Sequence, residues 1–174
     1  KEENKRMNRQ VETILQAALI DRQELQLKLQ PMHAHEVIRR VMDNFALQLQ
    51  EINATVKLDL KARHDMMEAD EVHFTNLISN LIDNAVKYSK EKLSIRITTQ
   101  NSGKFLVIRI EDNGIGMNKE TQRRIFEKFY RAHTGNVHNV KGFGLGLSYV
   151  KSVVDAYHGR IKVDSALGRG TVFT

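Results

Sequence analysis

The sequence predicts an α+β fold, a two-layer sandwich with helices on one face of a mixed, mostly antiparallel sheet, preceded by a helix. Three observations carry this. KLSIRITTQ and KFLVIRIED both alternate apolar and polar residues and flank Asn101-Ser102-Gly103, a hairpin signal. HFTNLISNLIDNAVKYSK keeps an apolar stripe at helical spacing, and GRIKVDS and GTVFT close the chain with two more alternating runs. Helical and strand periodicities interleaved with antiparallel hairpins place the helices as one layer on a sheet.

Taken in order, residues 1–22 carry Met7, Val11, Ile14 and Ala18 at heptad spacing with Leu15 and Leu19 beside them, the pattern of a helix that packs on other helices. QELQLKLQ switches to period two through Leu25, Leu27 and Leu29 and predicts a strand ended by Pro31, so a boundary falls near residue 22. Val37, Ile38, Val41, Met42, Phe45 and Leu49 predict a helix, and TVKLDLKA a strand. A long helix is expected from about Asp70 to Ser89, followed by the hairpin. In NKETQRRIFEKFYR, Asn118 is suited to cap a helix carrying Ile125, Phe126 and Phe129 on one side. From His133 to Val140 the chain is polar and aperiodic.

Composition narrows the functional classes. With 174 residues, 41% of them hydrophobic, the chain can bury one substantial core. Cysteine is absent, which excludes disulfides and thiolate metal sites. No apolar run approaches the roughly 20 residues of a membrane helix, so a soluble segment is expected. The first residue is not Met and the last four, TVFT, fall inside a strand pattern, so a piece of a longer protein is expected. A net charge of +6 invites nucleic acid, yet Arg123, Arg124, Lys128, Arg131 and Lys141 gather beside one glycine-rich loop. Bound phosphates account for that concentration as well as a nucleic-acid backbone does, and no nucleic-acid partner is expected.

Three stretches carry candidate chemistry. KGFGLGLSYVK places Gly142, Gly144 and Gly146 at alternate positions before a helix-like segment. It fits neither common phosphate loop, and two readings stand: an anion site at a helix start, or a packed turn in which glycine relieves crowding. On the helical wheel of residues 73–90, Asn76, Asn80, Asn84 and Lys87 line a stripe beside the apolar one. Solvated polar residues explain it; so do amide ligands for a hard cation such as Mg²⁺, with a lysine near phosphate, because asparagine is a poor helix former. EDNGIGM reads either as a tight turn or as a carboxylate, Asp112, at a strand end beside glycines that admit a flat ligand bearing an amine. His35-Glu36 is followed by no proline, and the remaining histidines lack metal-ligand spacing.

Read in order, NLISNLIDNAVKYS, EDNGIGM, IFEKFYR, GFGLGL and GRGT resemble the asparagine box, first glycine box, phenylalanine box, second glycine box and closing glycine turn of sensor histidine kinases. These belong to the ATPase superfamily shared with gyrase, mismatch-repair proteins and a heat-shock chaperone. The resemblance implies a Bergerat-type ATP-binding fold over residues 23–174, and makes residues 1–22 the end of the second helix of a dimerisation and phosphoacceptor hairpin. It implies Asp112 as adenine reader with Gly114 and Gly116 admitting the base, Asn84 on Mg²⁺, Asn80 on the phosphate side, and Lys87 and Tyr88 on the nucleotide. Arg131 would stabilise the transferring γ-phosphoryl group. Lys141, Gly142, Gly144, Leu145 and Gly146 would edge a lid over ATP, and Thr171 would lie near the base.

Superfamily members that hydrolyse ATP place Glu where Asn80 stands, and Asn cannot act as a base. The resemblance therefore implies phosphoryl transfer to a histidine on a hairpin outside this chain, then relay to the aspartate of a response regulator receiver domain. It further implies a homodimeric parent anchored in the bacterial inner membrane, this domain being cytoplasmic and compatible with a monomer by itself. The alternatives are an ATPase gate of the same superfamily and a non-catalytic nucleotide-binding interaction domain.

Overall fold

The computed structural model describes residues 25–90, 92–131 and 144–174, so the expected helix at 1–22 lies outside the described residues. Chain order is β1 (Gln30–His33), α1 (Ala34–Glu51), β2 (Thr55–Leu60), β3 (Met66–Ala69), α2 (Glu71–Lys87), β4 (Ser94–Ser102), β5 (Phe105–Asp112), α3 (Lys119–Arg124), α4 (Gly146–Ala156), β6 (Val163–Ala166) and β7 (Gly170–Phe173). Five strands form one sheet in the order β2-β4-β5-β7-β6. Only β2 and β4 run parallel, joined through α2; the remaining pairs are antiparallel.

The alternation in β4 decides which face is covered. Ile95, Ile97 and Thr99 are buried while Ser94 and Arg96 are exposed, and the same inner face continues into Ile110 and Phe173. Against it lie Val37, Ile38 and Val41 of α1, Phe74, Ile78 and Ile82 of α2, and Val150 and Val153 of α4, all in one cluster. Each such side chain gains roughly 1.5–3 kcal/mol from burial, which outweighs the cost of asparagines in α2. The expected sandwich, with a helix ahead of the sheet, is therefore the one observed.

The start of α2 is fixed by a side chain. Asp70 Oδ1 accepts from Val72 N at 3.0 Å and His73 N at 3.1 Å, while Oδ2 accepts from Lys28 N at 2.9 Å. Burial alone would raise the Asp70 carboxyl; the amides of Lys28, His73 and Val72 and the charge of His73 outweigh it and hold the group below its ordinary range.

Three local expectations are corrected. Residues 25–29 form no strand; β1 begins at Gln30 and contains Pro31. Among the described residues it pairs only with β3, a strand that the sequence reading missed, in a separate two-stranded sheet. An edge position tolerates proline's missing N–H, and β3 is four residues long with a single fully buried side chain, too short to show a period. The helix capped by Asn118, whose Oδ1 accepts from Thr121 N at 2.8 Å, ends at Arg124. Ile125 is buried and Phe126 packs on the core, but Phe129 is 68% exposed with φ +62°.

Candidate functional site

Between the C-terminal half of α2, the end of β5 and the β6–β7 hairpin lies a cavity of about 450 Å³, within the range that holds small-molecule ligands. Six of the expected site residues line it: Asn84, Tyr88, Asp112, Gly116, Arg131 and Thr171. Register explains part of this convergence, because Asp112 and Thr171 are directly opposed on β5 and β7.

At one end stands Asp112. Its Oδ1 accepts from Gly114 N at 2.8 Å. Burial pushes its carboxyl above the ordinary carboxylate range, the amides of Gly114 and Thr171 oppose that rise, and the charge of Glu111 adds to it. The group is thus a half-buried acceptor, aimed by two backbone donors. Beside it Thr171 Oγ1 lies 3.0 Å from Ser165 Oγ.

The glycines of EDNGIGM are explained by protein neighbours. A Cβ on Gly114 would lie 2.5 Å from the Tyr88 carbonyl oxygen, and one on Gly116, where φ is +68°, would lie 1.9 Å from that of Ala166. The segment is bare so that it can thread between the end of α2 and the β6–β7 hairpin, with Ile115 N donating to Tyr88 O at 3.0 Å and Gly168 N to Ile115 O at 2.7 Å.

At the other end α2 meets the start of α4. Asn80 donates through Nδ2 to Asn76 O at 2.8 Å, and its Oδ1 sits 2.7 Å from where a Cβ on Gly146 would be. Gly144, at φ +71°, would press a Cβ to 2.7 Å from Tyr130 O. Crowding therefore accounts for both of these glycines, which was the plainer of the two readings. Leu145 precedes the helix and offers no side-chain cap, so the first-turn N–H groups of α4 lack one from their N-cap residue. Asn84, one turn along from Asn80, lines the cavity; its buried Nδ2 has no hydrogen-bond partner among the described residues.

Six expected residues stand back from the cavity wall: Asn80 is bonded to Asn76, Lys87 is paired with Asp83, and Gly114, Gly144, Leu145 and Gly146 serve packing around it. Lys141 and Gly142 lie outside the described residues. The sequence reading missed the apolar wall, formed by Ile115, Met117, Ile125, Leu147, Leu167 and Phe173, and it missed Ser165. Apolar residues at strand ends and in a hairpin carry no local signal that separates core from cavity.

Residues 69–174 match the family described as histidine kinase-, DNA gyrase B-, and HSP90-like ATPase. Over 174 residues, 99% of the chain, the sequence is 47% identical to the sensor protein RprX of Bacteroides fragilis (strain YCH46), of which it covers 34%. To the sensor histidine kinase WalK of Bacillus subtilis (strain 168) it is 30% identical, again over 99% of the chain and over 28% of WalK. The chain thus spans about a third of the length of these relatives. Full-length ShkA, solved in complex with AMPPNP, superposes with a TM-score of 0.80 at 25% identity, over 94% of this chain and 34% of that one. Motif order, fold and relatives agree, and the chain belongs to the histidine kinase-, DNA gyrase B- and HSP90-like ATPase family as a catalytic domain of the sensor histidine kinase kind.

Proposed function

We propose that this domain, residues 23–174, binds Mg²⁺-ATP in the cavity and, within its parent protein, transfers the γ-phosphoryl group to a histidine. The observation that carries the reading is Asn84, whose buried amide nitrogen has no partner among the described residues, on the wall of a cavity that also holds a half-buried, amide-held carboxylate, Asp112. Leaving a buried polar group unpaired costs about 1–3 kcal/mol, a cost offset when a ligand supplies the partner. An asparagine amide can turn over to present either its oxygen or its nitrogen, so the side chain suits Mg²⁺ and phosphate oxygen alike. When bound, Mg²⁺ would be held by Asn84 and would neutralise charge developing on the β- and γ-phosphate oxygens.

The chain's own residues divide the remaining work. Asp112 accepts from the exocyclic amine of adenine, and the apolar wall excludes water from the base. Phosphates extend toward the uncapped first turn of α4, whose N–H groups and positive dipole end favour anions. The imidazole nitrogen of the acceptor attacks the γ-phosphorus, the bond to the β-phosphate oxygen breaks, and ADP leaves with its electron pair. Arg131, at the cavity wall, stabilises the charge spread over the transferring group. Asn80 carries no base for activating water and its amide is already engaged with Asn76 O, which favours transfer to imidazole over hydrolysis. The acceptor histidine belongs to a dimerisation hairpin whose second helix ends in residues 1–22, and the phosphoryl group passes on to a response regulator aspartate. The parent is a homodimer anchored in the bacterial inner membrane. Among the described residues no helix is long and apolar enough to cross a membrane.

The test is transfer from γ-labelled ATP to a separately supplied phosphoacceptor hairpin of the parent. Acid-labile, base-stable label should appear on the hairpin and not on this chain. Arg131→Ala should lower the rate by about 10³ with ATP affinity little changed. Label on the isolated chain, or a hairpin left unlabelled, would sink the proposal.

A further inference from the structure

The hydroxyl of Ser165 is buried beside Thr171, a residue of the cavity wall, and belongs to no motif in the sequence reading. It has three neighbours. Met117 N donates to Ser165 Oγ at 2.8 Å, Gly170 O lies 2.8 Å away, and Thr171 Oγ1 lies 3.0 Å away. A serine hydroxyl has one proton and two lone pairs. A carbonyl oxygen can only accept, so the shorter contact, to Gly170 O, takes the serine proton. Met117 N–H occupies one lone pair. The remaining lone pair can be satisfied only if Thr171 donates its proton to Ser165. Thr171, which lines the cavity, is then left with lone pairs alone to offer a ligand.

We infer that Ser165 is a positioning residue for base selection: by consuming the Thr171 proton it makes Thr171 an acceptor, so that with Asp112 the wall presents acceptors only. The ligand that complements such a wall is a purine carrying a 6-amino donor, directly or through a water that donates to the wall. A 6-oxo purine turns an acceptor toward it and is rejected, since a site built for a hydrogen bond penalises the analogue that leaves it unmade. Register supports the arrangement, because Ser165 and Thr171 are opposed on β6 and β7. The same hydroxyl also ties Met117, on the far side of the first glycine box, to the β6–β7 hairpin. Gln122 Nε2 spans that seam too, donating to Met117 O at 3.0 Å and Ser165 O at 2.7 Å. With the seam held by Gln122, removal of one hydroxyl leaves the hairpin in place.

The inference rests on the nucleotide reading above, and the experiment separates the two. Calorimetric titration with ADP and with inosine diphosphate, which differs at the 6-position, gives a preference ratio for each variant. Ser165→Ala frees Thr171 to rotate and donate, so the ratio should fall about fivefold, the factor that one neutral hydrogen bond makes. Ser165→Thr, which keeps a hydroxyl, should restore it. In a Thr171→Val background Ser165→Ala should leave the ratio unchanged, whereas loss of general packing would lower it in both backgrounds. Should Ser165→Ala fail to fold, Ser165→Cys, a weak donor and weak acceptor, is read in the same way. An unchanged ratio in Ser165→Ala, or an equal fall with Thr171→Val, overturns the role of Ser165. Binding of neither nucleotide by the unaltered chain overturns the nucleotide reading itself.

Discussion

The two ends of the cavity are built on opposite plans. At the Asp112 end polar groups are satisfied by the protein itself: the carboxylate by Gly114 N, Ser165 by three neighbours, and the first glycine box by hydrogen bonds to Tyr88 O and from Gly168 N. At the α4 end a helix begins without a side-chain cap and Asn84 keeps an unpaired amide. The first end is pre-organised, which suits discrimination between bases in the proposed ATP site; the second is under-satisfied, which suits an anion there. On the proposed reading of an ATP site, affinity and selectivity would thereby be separated in space, a useful division when the phosphate chain must react and the base only anchor.

The largest effect expected of a single substitution should fall at the pre-organised end. Gly116→Ala would place a Cβ 1.9 Å from Ala166 O on a backbone at φ +68°, and neither neighbour is a flexible side chain that can yield. The fold should lose about 3 kcal/mol from combined strain and displacement, measured as a fall in the urea midpoint. Gly144→Ala makes a softer comparison, with a nearest contact of 2.7 Å to Tyr130 O. If Gly116→Ala unfolds at the wild-type midpoint, the tight threading of this segment is wrong.

Asp112 comes next. Asp112→Ala should weaken ADP binding by at least about tenfold, since a hydrogen bond to a charged acceptor contributes about 1.5–3 kcal/mol. A pH titration sharpens this. The folded-state pKa is raised, so the neutral form is the one the fold prefers; that contribution to stability is full below the unfolded value near 3.9 and lost as pH rises through the folded value. A ligand amine prefers the ionised form, so ADP affinity should fall as pH drops through the raised pKa. Asp112→Asn should lack this step. Calorimetry on both proteins at descending pH checks it, and equal pH profiles would remove Asp112 from the base site.

These residues also show what was legible in sequence. The six apolar positions of α2 and the Asn101–Gly103 hairpin signal fix elements because their determinants are local; the observed turn lies only slightly later, at Gly103, whose φ is +58°. Asp112 was found because glycines flank it. The reason for those glycines was not legible: their crowding partners, Tyr88 and Ala166, lie 26 and 50 residues away along the chain. For the same reason Ser165 gave no signal, since its value depends on which hydroxyl faces it across β6 and β7. The Phe129 expectation failed through backbone conformation, because three-fold spacing on a helix means nothing once the helix ends at Arg124.

The smallest effect expected probes the under-satisfied end. Asn84 sits among buried Leu81, Ile82 and Ala85, with an amide nitrogen that finds no hydrogen-bond partner among the described residues. Asn84→Leu replaces a poor helix former by a good one and removes the unpaired group, so the ligand-free domain should gain about 1 kcal/mol. The same change should abolish Mg²⁺-dependent enhancement of ATP binding, because leucine offers the cation no oxygen. Stability and function would then move in opposite directions at one residue, the mark of a site kept strained for its ligand. Thermal unfolding with and without Mg²⁺-ATP reads both at once: Asn84→Leu should melt higher alone and shift little on adding ligand, while the unaltered chain melts lower alone and shifts upward. A variant that melts lower without ligand would mean that Asn84 is a structural partner after all, and the contrast between the two ends would lose its physical basis.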